Sequence, residues 1–185
     1  MFQIGRAAAL SAFFVCPYPG DPQPLLVDAK SSCEQLKEAA WRALSNLRHP
    51  AVRDFALAVL PEDSEAALPL LIKNYQEQDA PLLERLVTQI PVDFDETTGW
   101  HGIHLDVLNM VDDGLKAPAA LLRHIYTTTY CSSCREHALR QMGKRRLLTD
   151  EILQECLFDS NSDICAYAER CLRRRKSRCL SSFCI

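Results

Sequence analysis

The feature that most constrains the fold is a spacing pattern that recurs along the chain. It places apolar or small residues four positions apart, as in Val52, Ala56 and Leu60. Residues with this spacing lie on one side of a helix, and a small middle residue lets a neighbouring helix approach closely. The further copies are Leu82, Leu86 and Ile90; Cys134, Ala138 and Met142; and Ile164, Ala168 and Leu172.

The copies begin 30, 52 and 30 residues apart, and equal intervals around a longer one indicate a repeat with an insertion. Each copy follows a turn or cap signal, such as His49-Pro50, and a second helix-spaced apolar pattern precedes each signal. The sequence therefore predicts an all-α fold, an α-solenoid of about four helical hairpins over residues 32–176 with an insertion at residues 92–116.

The second helix of each predicted hairpin resembles that of a HEAT repeat, an armadillo-type helical repeat. The string Val52-Arg53-x-x-Ala56-x-x-x-Leu60 carries the resemblance, and the segments from Cys134 and from Ile164 are weaker copies. The likeness covers residues 33–175, and its period is shorter than the usual length of about 40 residues. It is therefore similar to the short-repeat variety, and it implies a superhelix that binds other proteins.

Both ends of the chain lie outside the predicted repeats. Residues 1–31 are interpreted as an N-terminal extension and linker, since an apolar run at residues 7–15 is followed by a proline-rich stretch. The run has the length of a signal peptide but lacks a good cleavage site, so an extra helix packed on the first repeat is the favoured alternative. Residues 177–185 are interpreted as a C-terminal tail.

Charge is divided unevenly along the 185 residues. Residues 120–185 hold 12 Lys or Arg against 7 Asp or Glu, whereas residues 1–119 hold 9 against 17. The basic residues cluster at 144–146 and 173–178, where they suit the C-terminal ends of helices or a phosphate-bearing partner. A nucleic-acid-binding protein, similar to the DNA-repair proteins built from HEAT-like repeats, is therefore one alternative function.

The predicted binding surface is the concave face of the solenoid, which the second helices would line. Its candidate binding residues are Arg53, Arg85, Arg135, Glu136 and, in the insertion, Trp100. Irregular insertions in solenoids often lie on the binding face, although a loop with a packed tryptophan is the simpler interpretation of residues 92–116. These features predict a protein partner and no membrane association.

The run from Cys131 to His137 is the strongest candidate in the sequence for a metal-binding or thiol-redox site. Two thiols separated by two residues can chelate zinc, and His137 follows one helical turn after Cys134. His101 and His104 are further candidate ligands if the insertion folds back. A thiol redox pair is an alternative, and so is a plain helix start with Cys134 in the core.

The cysteine count favours a cytoplasmic protein. Nine cysteines are an odd number, and most have helix-face spacing rather than the spacing of a disulfide framework.

Paired carboxylates at Asp112 and Asp113 lack a neighbouring nucleophile, and the chain has no glycine-rich phosphate loop. The leading hypothesis is accordingly a non-catalytic HEAT-repeat scaffold without a cofactor, and a zinc or redox protein that uses Cys131 and Cys134 is the remaining alternative.

Overall fold

A computed structural model describes the backbone of residues 2–90 and 97–181, and the side chains of residues 3–90 and 101–177. Every secondary-structure element in these ranges is helical, which confirms the predicted all-α class. The α-helices are α1 (Phe2–Leu10), α2 (Gln23–Asp28), α3 (Glu34–Ser45), α4 (Pro50–Val59), α5 (Ser64–Lys73), α6 (Ala80–Gln89), α7 (Thr97–Asp112), α8 (Ala119–Thr128), α9 (Ser132–Lys144), α10 (Asp150–Cys156) and α11 (Ser162–Ser181).

The chain divides into two compact units. Unit 1 comprises Met1–Pro91 and Asp112–Lys116, and unit 2 comprises Val92–Val111 and Ala117–Ile185. None of the helices in the described ranges is long and apolar enough to cross a membrane.

Unit 1 is built around α3, which packs against α1, α2 and α5, while α4 packs mainly against α5. Ala7 and Leu10 of α1 and Leu25 of α2 are buried in the same cluster as Leu44. Polar contacts tie the N-terminal segment down, because Asn46 donates hydrogen bonds of 2.9 Å to the carbonyls of two successive residues that follow α1. Helices α1 and α2 therefore contribute to the core of unit 1.

Local capping explains where several helices begin. Pro50 opens α4, and the Nδ1 atom of His49 accepts a hydrogen bond from the N–H of Ala51 at 3.1 Å. Asp63 caps α5 in the same way through the N–H of Ala66 at 3.0 Å. Such caps satisfy backbone donors that have no partner in the first helical turn.

Unit 2 contains two helical hairpins, α8–α9 and α10–α11, and α9 also contacts α11. Its core is apolar along the facing sides of these helices. The fully buried apolar residues are Val107, Leu108, Leu121, Leu122, Ile125, Ala138, Leu139, Met142, Leu153, Ile164 and Ala168. Helix α11 extends to Ser181, so the first residues of the predicted C-terminal tail belong to a helix.

The first two positions of the recurring pattern are buried in three of its four copies, beginning at Val52, Cys134 and Ile164, and the third position is buried only in the copy that ends at Met142. In α6 the buried pair is Leu83 and Val87, whereas Leu82 is only half-buried. The predicted register of this copy was therefore wrong by one residue. Leu82 and Leu83 are both apolar, so spacing alone cannot choose between them.

Candidate metal centre

The start of α9 brings the two thiols of the Cys131–Cys134 motif to the same side. Cys131 directly precedes α9 in extended conformation, and its carbonyl accepts the N–H of Arg135 at 3.0 Å. Residues three positions apart at a helix start lie on one face. Cys134 is buried at 4% exposure, and Cys131 is half-buried.

An imidazole from α7 completes the group. The Nε2 atom of His101 lies 3.3 Å from the Sγ atom of Cys134. One nitrogen of His101 and the two sulfurs of Cys131 and Cys134 all lie within 4.8 Å of one another. Two thiolates and an imidazole are typical zinc ligands, so this cluster can chelate a metal ion.

The two thiols differ in their acidity. Burial alone would raise the pKa of Cys131, but the nearby backbone N–H groups of Cys134 and Ser133, the Cys134 thiol and the charge of Arg135 lower it overall. Burial raises the pKa of Cys134 to about 12, and the neighbouring Cys131 adds to this effect. Cys131 is therefore the thiol that ionises first.

Two further histidines lie beside this group in unit 2. The rings of His104 and His124 meet edge to face at a centroid distance of 6.0 Å. Burial, followed by the charges of His124 and His101, lowers the pKa of His104 to about 4, and burial also lowers the pKa of His124. Both rings are therefore neutral near pH 7, and they add no positive charge to the surroundings of His101.

The third predicted ligand, His137, is not part of the group that the described residues form. Its Nε2 atom lies 3.3 Å from the side-chain nitrogen of Gln141, one turn further along α9. His101 takes its place beside the thiols, although it is 33 residues away from Cys134 in sequence. The sequence alone indicated His101 only as a candidate ligand in the insertion that precedes the Cys131–Cys134 motif.

Two of the three predicted binding arginines, Arg53 and Arg135, are engaged inside their own units. Arg53 of α4 donates two hydrogen bonds to Asp79, through Nε at 3.1 Å and Nη2 at 2.5 Å. Arg135 of α9 donates two to Asp159, both at 2.9 Å. Asp79 raises the already high pKa of Arg53 through this hydrogen bond. Such bidentate pairs are strong and geometrically specific.

The remaining predicted binding residues have different environments. Glu136 accepts a hydrogen bond of 2.8 Å from Arg140 on the next turn of α9. Arg85 on α6 is exposed, and the side chain of Trp100 lies outside the described residues. Their role in binding a partner stays a prediction.

Several cations of the basic segments also have internal partners. Arg145 donates to the carbonyl of Ala117, and Arg175 donates to Asp150 and, at 2.7 Å, to the carbonyl of Leu148. A cavity of about 440 Å³ at this end of unit 2 is lined mainly by α9 and α11. Its lining residues are Gly143, Arg146, Leu148, Tyr167, Cys171, Arg174 and Arg175.

No protein-family model matches the chain, and comparison with curated proteins and with solved structures likewise finds no match.

Proposed function

We propose that this chain is a cytoplasmic helical-repeat module of the short HEAT-like kind, an α-solenoid that binds another protein and catalyses no reaction. The observation that carries the proposal is an ion pair that occurs at equivalent positions in the two units. Arg53 follows Val52, and Arg135 follows Cys134, the corresponding buried residue of the repeat pattern.

Each of the two arginines reaches past the helix that follows its own. Arg53 of α4 binds Asp79, which directly precedes α6, and Arg135 of α9 binds Asp159 in the turn before α11. In both units, therefore, one helix is fastened to the segment that leads into the helix after next. This arrangement supports two stacked repeats in each unit, because a repeat that contacts only its neighbours needs such ties between them.

Stacked repeats present successive inter-helix turns along one edge. In unit 2 these turns carry exposed aromatic side chains, Tyr130 at 40% exposure and Phe158 at 89%. Phe158 directly precedes Asp159, which Arg135 holds in place. Aromatic residues are enriched at protein interfaces, and an exposed ring on a well-held turn loses little conformational entropy on binding.

Capture of partners by the full-length tagged chain tests the proposal. Phe158→Ser removes the exposed ring, and Val27→Ser, at a residue of unit 1 that is 71% exposed, is the matched control. We expect a protein that cross-links to the wild type to be retained by Val27→Ser and lost by Phe158→Ser. The purified partner should then bind the Phe158→Ser chain at least about tenfold more weakly, since a hot-spot residue contributes about 2 kcal/mol or more and about 1.4 kcal/mol is already tenfold.

Two results would contradict this function. One is an identical set of captured proteins for both variants with equal affinities. The other is capture that depends on nucleic acid, falls steeply with added salt and is lost on Arg174→Ala, which would favour the nucleic-acid alternative.

A further inference from the structure

The donor set at the start of α9 is chemically selective. It combines the sulfurs of Cys131 and Cys134 with a ring nitrogen of His101, and no carboxylate belongs to the group. Soft thiolate ligands favour Zn²⁺ over the hard cations Mg²⁺ and Ca²⁺, and imidazole also suits zinc.

The geometry is close to that of a tetrahedral site. Zinc lies about 2.3 Å from sulfur and about 2.0 Å from nitrogen, so two of its ligands are separated by about 3.3–3.8 Å. The His101 nitrogen and the Cys134 sulfur are 3.3 Å apart, and all three ligand atoms lie within 4.8 Å of one another. Small side-chain rotations therefore suffice to place all three around one ion.

Equivalent positions of the recurring pattern in unit 1 hold no thiols. Cys134 corresponds to Val52, and both residues are buried. Cys131 corresponds to His49, whose side chain caps α4, so the same position before the helix is filled by a different kind of residue in unit 1. Neither thiol is therefore a constant feature of the pattern.

We propose that Cys131, Cys134 and His101 bind one Zn²⁺ ion. Three protein ligands leave the fourth position to water, which can reach the site past the half-buried Cys131. This inference does not depend on the proposed function, because a repeat module can bind its partner with or without the ion.

Metal titration of the full-length chain tests the site. The reduced protein is stripped with a chelator and titrated with Zn²⁺ in competition with a chromophoric chelator, and with Co²⁺ as a spectroscopic substitute. We expect one ion per chain, thiolate-to-cobalt charge-transfer absorption and the visible bands of tetrahedral cobalt. Cys131→Ser, Cys134→Val and His101→Phe should each weaken zinc binding by at least about 100-fold, since even outer residues of zinc sites account for about 10–100-fold.

Matched variants distinguish these three ligands from neighbouring thiols and histidines. His137→Gln changes the histidine that sequence spacing favours, and Cys165→Val removes a thiol outside the group, so both should bind zinc like the wild type. Cys134→Val should remain folded by circular dichroism, because valine occupies the equivalent position in unit 1.

Three results would overturn the proposal. They are zinc binding too weak to compete with the chelator, binding that His137→Gln abolishes and His101→Phe preserves, and a Cys131–Cys134 disulfide that persists in reducing buffer and excludes the metal. The last result would favour the redox alternative.

Discussion

The same ion pair occurs in both units, but it is set in different surroundings. In unit 1 the side chains of Arg53 and Asp79 are 12% and 6% exposed, whereas those of Arg135 and Asp159 in unit 2 are 22% and 11% exposed. Desolvation makes an unpaired charge more costly in the drier setting. The pair of unit 1 is therefore the one whose loss should damage the fold more.

The residues beside the two pairs differ in kind. Val52 precedes Arg53 in unit 1, and the thiol of Cys134 precedes Arg135 in unit 2, where His101 adds a ring nitrogen 3.3 Å away. The comparison teaches that the recurring pattern combines a small or medium-sized buried residue with an arginine that pairs with a later segment of the same unit. It leaves the chemistry of the buried residue open, and in unit 2 this residue is one of three potential metal ligands.

The largest expected effect is that of Arg53→Met. It leaves the Asp79 carboxylate buried without its cation, so the free energy of unfolding should fall by about 3–5 kcal/mol in urea denaturation. Arg135→Met should cost about 1.5–3 kcal/mol, the range for a hydrogen bond to a charged group, because its pair is more exposed.

Two controls sharpen this comparison. Arg42→Met removes an ion pair whose side chains are about 60% exposed, and it should cost less than about 1 kcal/mol. Arg53→Met combined with Asp79→Leu should recover part of the stability, since no buried charge remains unpaired. Equal losses for Arg53→Met and Arg135→Met would contradict the difference between the units.

Overpacking tests whether the two units share one packing pattern. Ala56 and Ala138 are fully buried at equivalent positions of α4 and α9. Tryptophan at either position should lower the free energy of unfolding by about 1–3 kcal/mol or more, because neighbouring helices must move apart. Thermal melting that leaves one of the two variants unchanged would show that the positions are not equivalent.

Acid should expose a weakness of unit 2. The pKa of His104 is about 4 in the folded chain, below the usual 6.5. Between these pH values the unfolded chain binds a proton at His104 that the folded chain does not bind. The free energy of unfolding therefore falls as the pH decreases from about 6.5 towards 4. The slope from this residue is at most about 1.4 kcal/mol per pH unit.

The variant His104→Phe isolates this contribution, because phenylalanine fills similar space and does not titrate. Its stability should vary less with pH between 4 and 6.5 than that of the wild type or of His137→Gln. Parallel pH profiles for His104→Phe and the wild type would contradict the assignment.

The smallest effects are expected for the exchange of buried residues between the units. Cys134→Val and Val52→Cys keep a small apolar side chain at each position. Each should change the free energy of unfolding of the metal-free chain by less than about 1.5 kcal/mol. A larger loss for Cys134→Val, measured after chelator treatment, would show that packing itself requires the thiol.

Much of the local structure follows from the sequence. The cap at His49 and Pro50 predicts the start of α4, and the spacing of Val52 and Ala56 predicts its buried side. The same reasoning holds for Cys134 and Ala138 in α9. These features depend on residues within one or two helical turns, which is the distance over which sequence patterns act.

The sequence did not determine the register of α6 or the third residue of the thiol group. Leu82 and Leu83 satisfy the same apolar pattern, and only the packed structure buries Leu83 completely. His137 is nearer to Cys134 in sequence than His101, yet the packing of α7 brings His101 to the thiols.

By itself, then, the sequence determined an all-helical chain with a repeated buried stripe, because helical periodicity and caps are short-range properties. Only the tertiary structure decided which charges pair and which ligands meet. Arg53 and Asp79 are 26 residues apart, and His101 and Cys134 are 33 residues apart. Contacts over such separations depend on how whole helices pack, and no local pattern encodes that.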